Sequence, residues 1–275
     1  MLKTLRITHA QEQMRQHLCM PSWRVEEKIV LAGLILYAQG HDSGLAGQIT
    51  ARVDGSSDFL TQQMGMGLDE IKLSNLLRVD PELQVVEGNG MPNPANRFHA
   101  WIYRERPDVH CIIHTHAVHA SALSMLGRPL QVAHMDSCAL YDDVAYLPTW
   151  PGVPVSDNEG ELICAALGGK RAVLLAHHGL LVACRTVEEA CVLAIQFEHA
   201  AKLQLLAAAA GEMQTLDPVL AQEAHNWLLH ENRVQATFYY HARKILQQLP
   251  GCLVRQLEPT IRNQWANSDV DTHAN

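Results

Sequence analysis

The chain has 275 residues, 48% of them apolar, and a formal charge of −8. That length supports one substantial core carrying a helical appendage, and acidity without any block of like charge speaks against a nucleic-acid surface. Seven cysteines without a CxxC pair fit reduced thiols in a cytoplasmic protein, and neither a signal-peptide stretch nor an apolar run of about 18 residues appears, so no membrane partner is expected.

In chain order, residues 1–20 read as a lead-in. Ser22 is placed to cap a helix whose apolar positions Ile29, Val30, Leu31, Leu34 and Ile35 carry it to about Gln39, where Gly40 to Gly44 supply turn chemistry. Ile49–Val53 and Phe59–Thr61 read as a hairpin, and Leu76–Val79 and Leu83–Glu87 as a second pair of short strands. Pro94–Glu105 is helical in period, with Phe98, Trp101 and Ile102 at i, i+3, i+4 and Pro107 as a stop. Val109–Thr115 is a strand and Ala117–Leu126 a helix. Val132–Met135 and Val144–Leu147 read as edge strands, Asp157–Leu167 as a helix, and Ala172–Ala176 and Leu180–Ala183 as buried strands. Thr186 caps a long helix to about Ala210, with Glu188 and Glu189 at its positive end. Pro218–Gln248 reads as one final helical stretch. The expectation is a single α/β domain of the α+β type over residues 1–257, covered by C-terminal helices, with 258–275 as a frayed tail.

The chemistry gathers at histidines. In Ile112-Ile113-His114-Thr115-His116, strand alternation puts His114 and His116 on one face, where both rings can reach one ion; the plainer reading is a ring bonded to a backbone carbonyl. In Leu174-Leu175-Ala176-His177-His178-Gly179 an apolar strand delivers two more imidazoles to a turn, and periodicity alone does not choose between them. Three imidazoles suit Zn²⁺ first, then Fe²⁺, Mn²⁺ or Co²⁺. His119, His134, Asp136 and Tyr141 are candidate proton carriers, as are Tyr239 and Tyr240 if the C-terminal cover folds over the pocket. His99 reads as a packed ring, and Glu198 and His199 as a solvated helix face. Met64, Met66, Met91, Trp101 and Met135 suit either an apolar pocket or the core.

At Arg106-Pro-Asp-Val-His-Cys-Ile-Ile-His-Thr-His116 and Leu174-Leu-Ala-His-His-Gly-Leu180, the chain resembles the class II aldolase/adducin family, over roughly Glu26 to Ala210. The resemblance implies a central, mostly antiparallel sheet flanked by helices, a tetrameric homo-oligomer, and one divalent ion held by His114, His116 and His178. It also exposes departures. Aldolases of the family carry a Glu 19 positions before the first metal His, and here that position is Ala95. The family's phosphate-gripping segments correspond to Gly47-Gln48-Ile49-Thr50 and Thr61-Gln62-Gln63-Met64-Gly65, making Gln48, Gln62 and Gly65 the candidate substrate contacts. Glutamines and Met64 stand where small hydroxyl donors would close over a phosphate. The expected function is therefore a metal-dependent lyase, aldolase or decarboxylase, on a small non-phosphorylated keto or hydroxy acid. A mononuclear non-haem iron oxygenase and a non-catalytic, adducin-like binding protein are the alternatives.

Overall fold

The computed structural model describes residues 2–18, 21–153 and 156–248, so the expected tail at 258–275 lies outside the described residues. Helices α1 (Leu2–His17) and α2 (Val25–Ala38) lead into strands β1 (Gln48–Arg52), β2 (Phe59–Gln62), β3 (Leu76–Val79) and β4 (Val85–Glu87). Then come α3 (Asn96–Glu105), β5 (Cys111–Thr115), α4 (Val118–Ser124), β6 (Val144–Leu147), α5 (Asp157–Leu167), β7 (Ala172–Leu175) and β8 (Gly179–Cys184). The long α6 (Val187–Ala210), α7 (Pro218–Leu228) and α8 (Glu231–Gln248) follow.

The strands form one eight-stranded sheet in the order β4-β3-β2-β1-β5-β8-β7-β6. Every neighbouring pair is antiparallel except β6 with β7. Alternation along β5 divides the core between the two faces. Cys111 and Ile113 join the residues of α2, α4, α6 and α8, whereas Ile112 joins Phe98 and Ile102 of α3 and Ile163 of α5. On the second face the helices approach closely, because a Cβ at Gly160 would lie 2.8 Å from Cβ of Trp101. The mixed α/β class and mostly antiparallel sheet agree with expectation. Among the described residues, no helix is long and apolar enough to cross a membrane.

Several local readings are corrected. The lead-in is helical: α1 has neither Gly nor Pro to interrupt it, and Lys3 pairs with Glu223 of α7 at 2.6 Å. Ser22 does not cap α2. The helix starts at Val25, where the Glu27 carboxylate accepts the Arg24 N–H at 2.9 Å. The segment Val132–Met135 is not a strand. The Gln131 N–H is taken by the Gln204 side chain of α6, and residues Met135–Leu140 then wind into a 3-10 helix. The final helical stretch is two helices, broken where the His230 carbonyl accepts the Arg233 and Val234 amides and starts α8 afresh. The break lets Leu228 and Val234 both reach the core. Met64, Met91 and Met135 are exposed and belong to no core.

Thr186 does cap α6, its hydroxyl accepting the Glu189 N–H at 3.1 Å. Thr186→Ala should cost about 1 kcal/mol of stability, seen as a lower urea midpoint at unchanged slope.

Candidate metal centre

β5 ends at the sheet rim with His114 inside it and His116 one residue beyond its end, and the β7–β8 turn delivers His178 beside them. The ligand nitrogens of the three rings all lie within 4.8 Å of one another. Nε2 of His114 and Nε2 of His116 are 3.1 Å apart. A tetrahedral ion with bonds of about 2.0–2.1 Å would space its nitrogens roughly 3.4 Å apart, so small adjustments admit one ion. The rings meet edge to face, with centroids 4.7 to 5.0 Å apart.

The donor set is prepared electronically. His114 Nδ1–H donates to the Leu180 carbonyl at 2.8 Å, which leaves the Nε2 lone pair directed at the cluster. Burial, then the neighbouring His178 and His116, hold the His114 ring far below the usual histidine range. Burial, then His116, bring His178 down to about 4, and burial also lowers His116. All three rings are neutral near pH 7 and offer free lone pairs. His114 is buried, whereas His116 and His178 are partly exposed, so the cluster opens on the rim side.

Backbone geometry builds the turn. His177 adopts φ 55°, points to solvent and donates its N–H to the Ser124 carbonyl. The His178 carbonyl accepts from Ser121 Oγ at 3.4 Å. Helix α4, which begins just after His116, therefore clamps the turn that carries His178. Gly179 is sterically required: a Cβ there would sit 2.5 Å from the Thr115 carbonyl and 3.1 Å from Cδ2 of His116.

The other candidate residues are placed as follows. His119 Nδ1 lies 2.6 Å from Oε1 of Glu198, whose carboxylate also accepts the His119 and Ala120 amides. Glu198 is thus buried and fully engaged, which corrects its reading as a solvated residue; His199 is exposed. The signal available in the sequence was a lone Glu on the face of α6 that also carries Cys191, Ala194 and Ala201. Ser121 and Ser124 carried no such signal. His134 and Asp136 are exposed and bonded within their own loop, the Asp136 N–H donating to His134 Nδ1 at 3.2 Å. His134 lines a separate cavity against Ala200, Leu203 and Gln204 of α6. Tyr141 packs on the larger core, Tyr239 stands edge-on to Trp23, and Tyr240 is exposed.

Gln48 lies opposite His114 in the β1–β5 register, buried, its Nε2 donating to the Ala46 carbonyl. Gln62 has both amide ends engaged with backbone: Oε1 accepts the Ile49 N–H at 3.1 Å and Nε2 donates to the Gly47 carbonyl at 2.7 Å. Gly65 takes φ +93° in the loop after β2. Ala95 sits immediately before α3 and packs on the second core face. No carboxylate or thiolate joins the three imidazoles among the described residues.

Two outcomes are expected here. Gly179→Ala should weaken Zn²⁺ binding at least tenfold, measured by competition with a chelator, with the far-UV spectrum retained. The second concerns the fully buried rings of His99 and His41, which burial lowers to about 3 and about 4. The unfolded chain takes up protons at these residues below about pH 6.5 and the fold does not, so their contribution is intact above that pH and is lost as pH falls toward 4. His99→Gln should therefore lose less stability between pH 7 and pH 5 than the parent, by on the order of 2 kcal/mol in urea titrations.

The model of the family described as "Class II Aldolase and Adducin N-terminal domain" matches residues 27–205. The chain is 31% identical over 182 residues to "Decarboxylase NovR" of Streptomyces niveus, covering 65% of this chain and 67% of that protein. It is also 31% identical over 182 residues to "4-hydroxy-3-prenylphenylpyruvate oxygenase/4-hydroxy-3-prenylbenzoate synthase" of Streptomyces roseochromogenus subsp. oscitans, covering 65% and 66%. The structure of "L-fuculose 1-phosphate aldolase from Glaciozyma antarctica PI12" superposes with a TM-score of 0.74 at 30% identity, over 81% of this chain and 88% of that one. From its matched sequence and its eight-stranded sheet alike, the chain belongs to the class II aldolase and adducin family.

Proposed function

We propose that this protein is a metal-dependent lyase that cleaves a carbon–carbon bond in a small, non-phosphorylated keto or hydroxy acid, with decarboxylation favoured over aldol cleavage. The observation that carries this reading is the convergence of three neutral imidazoles that no carboxylate joins among the described residues. Class II aldolases use a divalent metal, and the donor set here fits one: His114, His116 and His178 would hold it, with zinc favoured by nitrogen ligation. When bound, such an ion supplies Lewis-acid polarisation of a carbonyl or carboxylate oxygen.

The remaining roles belong to the chain itself. Ala95 offers no base, so a reaction that begins by removing a proton is poorly served. Loss of CO₂ from a carboxylate β to the polarised carbonyl leaves the electron pair of the broken bond as an enolate, and so needs no proton taken at the outset, only one delivered afterwards to the enolate carbon. His119 is the proton carrier of this reading, since its Nδ1 is tied to Glu198 and its Nε2 is left for the task. Gln62 cannot turn its amide to a phosphate without giving up two backbone bonds of the β1 segment. Met64, exposed in the same loop, adds no anion donor. The decarboxylase name of a 31%-identical relative supports the same direction. Homo-oligomerisation and a cytoplasmic location complete the proposal, by analogy with the family.

A second reading, a mononuclear iron oxygenase, is favoured by the oxygenase name of the other Streptomyces relative. One experiment separates them. The protein is loaded anaerobically with Zn²⁺, Mn²⁺ or Fe²⁺ and given α-keto and α-hydroxy acids alongside fuculose 1-phosphate, with CO₂, pyruvate and O₂ consumption recorded. The expected result is about one ion per chain, absent from His114→Ala/His116→Ala, and CO₂ or pyruvate released from a non-phosphorylated acid without O₂. Turnover confined to the sugar phosphate, or metal retained by the double variant, overturns the proposal; strict O₂ dependence with iron selects the oxygenase.

A further inference from the structure

A cavity of about 440 Å³ opens at the end of β8 remote from the imidazole cluster, between the start of α6 and the two C-terminal helices. Its position follows from the strand: Gly179, beside His178, begins β8, and Arg185 follows its last residue, so roughly 20 Å of extended chain separates the two places. The α7 and α8 side of the cavity, with Asn226, Leu229, Glu231 and Val234, lies beyond residues 27–205, the part of the chain that the family shares. The volume suits a small molecule.

The charges lining it are of two kinds. Arg171 is fixed and offset, its Nε 2.8 Å from Asp143 and its NH1 2.8 Å from Glu189, and Asp143 is further bonded to His225 at 3.3 Å. That network makes a rigid wall with no cation to spare. Arg185 and Glu231 differ: among the described residues neither side chain has an ion-pair partner within 4 Å. Arg185 is exposed and bonded through its backbone N–H to the Glu189 carboxylate at 3.1 Å, and Glu231, also exposed, accepts one neutral hydrogen bond, from the Gln235 amide at 3.2 Å. One unpaired cation therefore comes from the strand end and one unpaired anion from the first turn of α8, and the apolar Leu229 and Val234 belong to the same lining.

We infer that this cavity is a second ligand site, built for a small zwitterionic α-amino acid with an apolar side chain. Arg185 takes the carboxylate, in the geometry a guanidinium offers to two oxygens. Glu231 takes the ammonium, and Leu229 and Val234 receive the side chain. A simple anion satisfies only one of the two charges, and a simple amine only the other.

Calorimetric titration of the intact, metal-loaded protein with L-alanine, L-valine and L-leucine tests this, with lactate and isobutylamine as single-charge probes. The expected result is binding of at least one amino acid, weakened tenfold or more in Arg185→Ala and in Glu231→Gln. Thermal melts of each variant without ligand establish that it is folded. No binding by any of the three amino acids overturns the inference. So does binding that survives Arg185→Ala, or lactate binding as tightly as alanine.

Discussion

The arrangement at the rim depends on a close approach of two backbones. Where β8 begins, the Gly179 backbone lies so near the Thr115 carbonyl that no side chain fits between them. That proximity lets the Leu180 carbonyl take the Nδ1–H of His114 and so orient the ring. It also brings the turn residue His178 across to His116. Neither strand holds the cluster by itself. The cluster is a property of the β5–β8 pairing, and α4 secures it by bonding both flanks of the turn through Ser121 and Ser124.

How much of this could be read in advance follows from the range of each interaction. Alternation along β5 is local, so the shared face of His114 and His116 is visible in five residues. The left-handed backbone at His177, which sends that ring outward and the next one inward, depends on how the turn closes and cannot be read from period two. The engagement of Glu198 is less accessible still, because its partners lie 78 and 79 positions away and in sequence it is one charged residue on a mostly apolar helix. The segment at 132–135 shows the opposite failure. Its residues have strand character, but a single glutamine of α6 takes the preceding amide and the ladder never forms. Ser22 has good capping chemistry and yields to Glu27, which reaches back from within the helix.

The departures from the family pattern are physically consistent with one another. Alanine at position 95 leaves the second core face apolar where a carboxylate would need solvation or a partner. The end of β2 spends the Gln62 amide on the backbone at the start of β1, at Gly47 and Ile49, which removes a donor from the rim. The first removes a charged group and the second removes a hydrogen-bond donor that a substrate would meet, and both leave the imidazoles intact.

Helix α6 touches both ends of the molecule. Glu189, near its start, bonds Arg171 beside the remote cavity, and Glu198 holds the first turn of α4. Nine residues separate them, about 13.5 Å along the axis and two and a half turns about it, which sets the two carboxylates on opposite sides of the rod. A roll of α6 would therefore carry them in opposite directions, so that a pull at one end is delivered as a push at the other, like a camshaft with two lobes set half a revolution apart.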